Sequence, residues 1–280
     1  MRRTPGHVVV WADIVLTCGG LFLPLIQRVR EAAAVSKCTC VKQLAFGVHV
    51  YTDHHDGRLP CGPPPPPGIP PERRLSWVVE TLPCVEGHDT YKRFDLTAAA
   101  DSEQNRATAA TYRYYGHLVC PMSPSFEVRD GPKAPELPPV PITNRVGAAG
   151  IGADAAELPE KHPRAGAFGY DRRTRMSDGF PDGTSNTFLI LETGHDPGHW
   201  AFGGPATVRP LVPGTEPYIG PGRPFGGFHA RREFAPGPRG GIMVAAMADT
   251  SIRYVRGDID PAVLEALATA AGKEPLPGGW

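Results

Sequence analysis

The sequence has no excess of charge of either sign. Its 29 Lys and Arg residues balance its 29 Asp and Glu residues, so the formal net charge at pH 7 is zero. Nucleic-acid-binding proteins usually present a broad basic surface, and we therefore expect no nucleic-acid partner. Hydrophobic residues make up 41% of the 280-residue chain, which allows one sizeable core or two small ones.

Cysteine is absent after residue 120, and the cysteines before it lack the paired C-x2-C spacing of a structural zinc site. Disulfide bonds formed outside the cytoplasm are the favoured interpretation, and a reduced cytosolic protein is also compatible with this number of cysteines. The six cysteines are Cys18, Cys38, Cys40, Cys61, Cys84 and Cys120.

Long helices should be few, because glycine and proline each number 33. These residues follow no G-X-Y period, which excludes a collagen-like chain and indicates many turns and loops. The longest proline tract runs from Pro63 to Pro67, with Pro70 and Pro71 behind it. PxxP segments bind SH3-like grooves, but we interpret this tract as a solvated extended loop.

One long apolar run is present, from Val8 to Ile26, with Asp13 as its only charge. As a helix it would span roughly 28 Å, which is close to the thickness of the hydrocarbon core of a bilayer. We expect it to anchor the chain in the cytoplasmic membrane by a single pass, with the globular domain outside the cytoplasm. A buried core helix and a cleaved signal peptide are the alternatives. The chain then divides into an apolar segment, 1–26, and a globular domain, 27–280.

The pattern of the remaining chain predicts an α+β fold. Apolar positions from Gln27 to about Asp53 fall near one helical face, which extends the apolar run as an amphipathic helix. We predict a strand from Thr187 to Glu192 and a hairpin that turns at Asp249-Thr250. A last helix should begin at Pro261, with Asp260 as its N-cap. The expected architecture is a long N-terminal helix packed on an antiparallel sheet, with long Pro/Gly-rich loops and a short C-terminal helix.

Several segments form an ordered series through nearly the whole chain. The series begins with LPLIQRVREAA and CTCVKQLAFGVHVYTDHHDGRLP, continues with SWVVETLPCVEGHDTYKRFD, LVCPMSP and TNRVGAAG, and ends with MADTSIRYVRGDIDPAVLEALATAAG. Its most specific member is DGTSNTFLILE. In order and spacing, the series resembles the DUF1559 (SBP_bac_10) family of prepilin-like proteins from planctomycete bacteria. The family-motif residues are Asp182, Gly183, Thr184, Ser185, Asn186, Thr187 and Asp249.

The resemblance implies a pilin-like fold and a non-enzymatic role as a structural or assembly subunit of a type II secretion, type IV pilus-like or cell-surface system. It implies other pilin-like subunits or further copies of the chain as partners besides the membrane, and no cofactor, metal or catalytic residue. It places leader cleavage between Gly6 and His7, with Trp11 where prepilins carry a glutamate. The family's histidine and its Asp-Gly pair correspond here to Arg239 and Asp249-Thr250.

The family also places cysteines at the positions of Cys38 and Cys120, and the resemblance therefore implies that these two pair. Such a bridge would staple the long helix to the globular domain and contribute about 2–5 kcal/mol. Cys40 competes with Cys38 for this role, because the match to the family has a deletion in this region. Cys61 and Cys84 are candidates for a second bridge.

A binding module is one alternative function. It would capture a solute or an envelope polymer outside the cytoplasm, and it predicts a pocket lined by aromatic side chains. Buried aromatic residues are nevertheless the commoner case. The candidate lining residues are Trp77, Trp200, Tyr218 and Phe225.

A metal-dependent enzyme is the other alternative. It predicts that the loop carrying His195 and His199 converges with Asp249 or His229. His49 and Asp53, one helical turn apart, form a weaker candidate pair of metal ligands. For the motif residues 182–186 we favour turn formation, because their short polar side chains bond nearby backbone groups at the start of a strand.

Overall fold

A five-stranded sheet lies at the centre of the fold. The computed structural model describes residues 40–65, 67–112, 115–120, 141–226 and 241–276. The helices in these ranges are α1 (Val41–Asp53), α2 (Trp77–Thr81), α3 (His88–Tyr91), α4 (Glu103–Ala110) and α5 (Pro261–Ala268). The strands are β1 (Ile142–Thr143), β2 (Arg145–Ile151), β3 (Phe188–Glu192), β4 (Gly198–His199), β5 (Val208–Leu211), β6 (Ile242–Met247) and β7 (Ile252–Arg256).

The strand order in the large sheet is β5-β2-β3-β6-β7. Strands β2 and β5 run parallel, whereas the other neighbouring pairs run antiparallel. A separate two-stranded sheet pairs β1 with β4. Strand β6 is buried along its whole length, so the sheet is covered on both faces there.

Two apolar cores lie on opposite faces of the sheet. Along β6, Val244 and Ala246 belong to one core, while Met243 and Ala245 belong to the other. This alternation follows from the two-residue period of a strand. Helix α1 contacts β3 and β6 on the first side, and α5 contacts β2 and β5 on the second. The sheet is therefore the middle layer of three.

Helix α1 shows the three- and four-residue spacing of an amphipathic helix. Its buried side chains include Tyr51 and three members of the first core, Val41, Leu44 and Val48. The chain leaves the helix through Asp56-Gly57, whose φ angles are +53° and +72°. Asp-Gly is a dipeptide that typically marks a turn.

The C-terminal elements also follow their local signals. The hairpin joins β6 to β7 through Asp249-Thr250, as predicted. Helix α5 begins at Pro261, and the side chain of Asp260 accepts a hydrogen bond from the backbone N–H of Ala262. Strand β3 begins at Phe188, one residue after the predicted start.

The predicted fold class is corrected in two respects. The α+β class holds, but the sheet is mixed rather than antiparallel, because β5 joins the edge of β2 in the parallel direction. The prediction of a long N-terminal helix is also wrong for the described residues, because α1 has 13 residues and begins at Val41. The remainder of that predicted helix, residues 8–39, lies outside the described residues.

The predicted membrane anchor is corrected as well. Across the ranges described, no helix has both the length and the apolar character needed to cross a membrane. At about 1.5 Å per residue, α1 is roughly 20 Å long, and it carries polar side chains on its exposed face. A membrane partner bound through an N-terminal helix and a single-pass localisation are therefore not supported. The apolar run from Val8 to Ile26 lies outside the described residues.

A fully buried ion pair joins the two central strands. Arg145 of β2 and Glu192 of β3 are register partners, and Nη1 of Arg145 lies 3.2 Å from Oε1 of Glu192. Both side chains are 0% exposed. The other carboxylate oxygen of Glu192 accepts a hydrogen bond of 3.2 Å from the backbone N–H of Val244 in β6. One carboxylate thus links three adjacent strands.

Removing the charge of Glu192 should destabilise the fold. The variant Glu192→Gln keeps the shape of the side chain and an oxygen for the Val244 N–H, but it removes the carboxylate that faces Arg145. We expect urea denaturation to show a loss of about 3–5 kcal/mol in the free energy of unfolding. The double variant Arg145→Met/Glu192→Gln should lose less than the two single losses added together. Strict additivity would contradict the coupling.

The buried ring of His117 should make the fold sensitive to acid. Burial lowers the pKa of His117 to about 4, the residue is 6% exposed, and its Nε2 lies 2.9 Å from the hydroxyl oxygen of Tyr112. In the unfolded chain histidine has a pKa of about 6.5, so between these two values only the unfolded chain takes up the proton. Stability is therefore complete above pH 6.5 and falls as the pH approaches 4, by up to roughly 3 kcal/mol.

Denaturation curves recorded between pH 7 and pH 4 test this expectation. The variant His117→Gln retains an acceptor for the Tyr112 hydroxyl but does not titrate, so its stability should depend less on pH in that window. Carboxylates titrate in both proteins, and the comparison removes their contribution. Equal pH dependence of the two proteins would show that His117 is not the responsible group.

Candidate functional site

The motif segment Asp182–Thr187 forms a tight turn that leads into β3. Gly183 has a φ of +95°, and residues Thr184–Asn186 make a single 3-10 turn. The side-chain amide of Asn186 donates to the carbonyl of Asp182 at 3.0 Å, and the hydroxyl of Thr187 donates to the carbonyl of Gly183 at 3.1 Å. Two motif side chains therefore hold their own turn closed, as the turn-forming interpretation predicts.

The β6–β7 hairpin packs against this turn. The backbone N–H groups of Asp249 and Ala248 donate to the carbonyls of Thr184 and Thr187, at 3.1 and 2.9 Å. Within the hairpin, Oδ1 of Asp249 accepts from the backbone N–H of Ser251 at 2.9 Å. The two parts of the family motif, far apart in sequence, thus meet through backbone hydrogen bonds.

Helix α1 and the C-terminal segment complete this meeting point. Nε2 of His49 donates to the carbonyl of Ala248 at 2.8 Å. The carboxylate of Asp182 accepts from the backbone N–H of Lys273 at 3.0 Å, and the Asp182 N–H donates to the carbonyl of Ala270. We refer to His49, residues 182–187 and the turn at 248–251 together as the motif junction.

The hydrogen bonds of the motif junction involve mainly backbone partners. Asp182, Asn186 and Thr187 each bond to main-chain atoms, which uses their polar groups to fix loop geometry. Ser185 and Asp249 lie at the surface. The junction holds α1, β3, the hairpin and the segment after α5 together. Its geometry therefore supports a structural role for the motif residues.

A second polar cluster was not found from the sequence. Glu80 of α2 is 9% exposed, and both of its oxygens accept from Arg173, at distances of 2.8 and 3.1 Å. Nη1 of Arg173 also donates to the hydroxyl of Tyr51 in α1 at 2.8 Å. The same carboxylate accepts from the backbone N–H groups of Cys61 and Gly62. We call Glu80 and Arg173 the loop clamp, because they hold the start of the proline tract.

Burial and charge in the loop clamp shift the pKa values of its neighbours. Burial, with a further contribution from Glu80, raises the pKa of Tyr51 above its usual range, so the phenol stays protonated. Burial alone would lower the pKa of Arg173, but its contacts with Glu80 outweigh this and raise it. Glu80 and Arg173 are far apart in sequence, and no spacing rule connects them, which explains why sequence reasoning missed the pair.

The histidine candidates do not form a metal centre in the part of the chain that the structure describes. Within it, no group of three or more His, Cys, Asp or Glu side chains is arranged to hold a metal ion. Nε2 of His195 lies 2.9 Å from the carboxylate of Asp196, and both side chains are largely exposed. His49 bonds to the hairpin instead of pairing with Asp53. His229 and Arg239 lie outside the described residues.

The cysteine predictions are resolved only in part. Cys61 and Cys84 are both free thiols, so the second bridge predicted between them is wrong. Cys40 is free as well. Cys120 is buried, and its backbone N–H donates to Asn144, but Cys38 lies outside the described residues and the pairing stays a prediction. Burial raises the pKa of the Cys61 thiol to about 11, which keeps it protonated near neutral pH.

The aromatic residues considered for a binding pocket lie in the interior. Trp77, Trp200, Tyr218 and Phe225 are each at most 2% exposed. They pack within the two cores, so they cannot line an open groove. The predicted leader-cleavage residues Gly6 and His7 lie outside the described residues.

Comparison with protein-family models gives one match. Residues 27–215 match SBP_bac_10, described as a protein of unknown function (DUF1559). The matched region covers more than half of the chain and contains α1, the loop clamp, β3 and the motif residues 182–187. No curated protein and no solved structure matches the chain significantly.

The backbone conformation of the motif junction gives opposite predictions for two substitutions. Gly183 has a φ of +95°, a region that L side chains avoid, so Gly183→Ala should cost about 1–3 kcal/mol in the free energy of unfolding. Thr250 has a φ of +68°, a conformation that costs less for glycine than for threonine, so Thr250→Gly should stabilise by about 1 kcal/mol.

Thermal and urea denaturation measure both effects, with Gly116→Ala as the control. A Cβ at Gly116 meets no atom within 4 Å, and this glycine is exposed with no positive φ, so that variant should be near neutral. If Gly183→Ala were as stable as Gly116→Ala, the turn would not need a glycine.

Proposed function

The chain belongs to the DUF1559 family, and from that premise we propose that it is a non-enzymatic structural or assembly subunit that associates with further copies of itself through α1. The pilin-like resemblance of its sequence motivates this assignment. The motif junction supports it, because side chains of the most specific motif fix the backbone of the fold. Because these side chains are used inside the fold, contact between copies requires a surface outside the junction.

The observation that carries the proposal is an exposed apolar pair on α1. Phe46 and Val50 are 52% and 39% exposed, although the opposite face of the helix is fully packed. They are four residues apart, so they lie next to each other on the helix surface. Nζ of Lys42 lies 5.9 Å from the centre of the Phe46 ring, which adds a cation to the same strip. We call Lys42, Phe46 and Val50 the α1 strip.

A second copy of the chain is a suitable occupant for the α1 strip. Aromatic and aliphatic side chains exposed together are typical of protein contact sites. The formal net charge of zero leaves little long-range repulsion between identical copies, and proteins near zero net charge associate readily. Two strips related by a twofold axis would bury Phe46 and Val50 of each copy at once.

Sedimentation velocity over a range of concentrations tests this assembly. The double variant Phe46→Ser/Val50→Ser should weaken self-association at least about tenfold, because fully burying one such side chain contributes roughly 1.5–3 kcal/mol. The control is Val212→Ser, since Val212 is 37% exposed but lies away from α1, after β5. Unchanged association of the double variant, or wild type that stays monomeric at high concentration, would overturn the proposal.

A further inference from the structure

A cleft with a volume of about 310 Å³ lies next to the loop clamp. Its wall consists of residues 156–160, residues 171–173 and Arg58, which follows α1. Ligand pockets have volumes of roughly 300–1,000 Å³, so this cleft suits a small molecule. Neither the motif junction nor the α1 strip contributes a residue to it.

Charged side chains of both signs line the cleft. Two of them have partners outside it, because Arg173 pairs with Glu80 in the loop clamp and Asp171 pairs with Arg74. Four others form no ion pair with any residue in the described ranges: Arg58, Arg172, Glu157 and Glu160. Two cations and two anions thus share one cleft without direct contact between them.

Arg172 is the most buried of these four side chains. It is 7% exposed, and its two terminal nitrogens donate to five backbone carbonyls, among them those of Leu158 and Gly166. Carbonyls satisfy N–H groups but carry no net charge. Burial therefore lowers the pKa of Arg172 to about 10, although the charge of Glu160 acts in the opposite direction. An anion in the cleft would offset the cost of this buried charge.

Arg58 and Glu160 are held in position and still have polar atoms available. Nη1 of Arg58 donates to the carbonyl of Arg173 at 3.2 Å, and Oε1 of Glu160 accepts from the backbone N–H of Arg175 at 2.8 Å. Their remaining nitrogens and oxygen make no hydrogen bond to the part of the chain that the structure describes. Both residues are half-buried. A ligand that binds them therefore has little side-chain ordering to offset.

We propose that this cleft binds a small zwitterion of the free amino acid class. The carboxylate of the ligand bonds to the available nitrogens of Arg58 and is attracted by the charge of Arg172. The ammonium group of the ligand bonds to the available oxygen of Glu160. A ligand with a single charge would leave one sign of the cleft without a partner, whereas a zwitterion matches both. Solute binding is thus a second activity, at a surface separate from the α1 strip.

Isothermal titration calorimetry of the full-length chain with each standard amino acid in turn, up to about 5 mM, tests this site. We expect at least one amino acid to bind within that range. Its N-acetyl derivative lacks the ammonium charge, and its amide lacks the carboxylate. Each derivative should bind at least about tenfold more weakly, because one charge-assisted hydrogen bond is lost.

Two variants that remove a charge locate the site. Arg58→Gln and Glu160→Gln should each weaken binding of the amino acid at least about tenfold. Glu160→Gln should bind the N-acetyl derivative as wild type does, since the contact that this variant removes is one that the derivative cannot make. The matched controls Arg256→Gln and Glu103→Gln remove exposed charges elsewhere and should bind the amino acid as wild type does. Thermal denaturation establishes beforehand that each variant is folded.

The variant Phe46→Ser/Val50→Ser separates ligand binding from assembly. It should bind the amino acid as wild type does, whatever its effect on self-association. The absence of binding by every standard amino acid, or unchanged binding by Arg58→Gln, would overturn the site. Equal affinity for an amino acid and its N-acetyl derivative would overturn the zwitterionic ligand class.

Discussion

The fold depends on the buried ion pair between Arg145 and Glu192. Two charges without solvent exposure must face each other, because a buried charge that loses its partner is strongly destabilising. This requirement fixes the register of β2 against β3. If one strand slipped by one residue, its charged side chain would point to the opposite face of the sheet, into the other apolar core and away from its partner. Through the bond from Val244 the same carboxylate also positions β6. The order of the three central strands therefore follows from one interaction.

Strand β3 connects this ion pair to the motif junction. The motif DGTSNTFLILE begins with the turn at Asp182 and ends with the buried Glu192, so both ends of a single strand are fixed by specific polar contacts. The residues between them fill the two cores. This gives a physical reason for the specificity of the segment, since nearly every position is a turn former, a core side chain or a buried charge.

Sequence reasoning succeeded where the determining signal is local. The Asp260-Pro261 helix start, the turn at Asp249 and the strand before Glu192 each depend on a few neighbouring residues. It failed where distant residues decide the structure. The pairing of β2 with β5, the ion pair of Arg145 and the loop clamp each join segments that no periodicity relates. Glu192 was read as the end of a strand, but its charge gave no indication of its partner.

The loop clamp is the clearest sign that the proline-rich loop has a defined position. Replacing a buried ion pair by apolar residues is often neutral or stabilising, so such a pair is weak support for a purely stabilising role. Here Glu80 and Arg173 bond to the backbone of Gly62 and to Tyr51 of α1, and they hold the loop against the helix that carries the α1 strip. An unconstrained linker between α1 and α2 would need neither the ion pair of Glu80 with Arg173 nor a glycine in close contact with Leu75. The contacts therefore fix the chain at Gly62, where the proline-rich loop begins, next to α1.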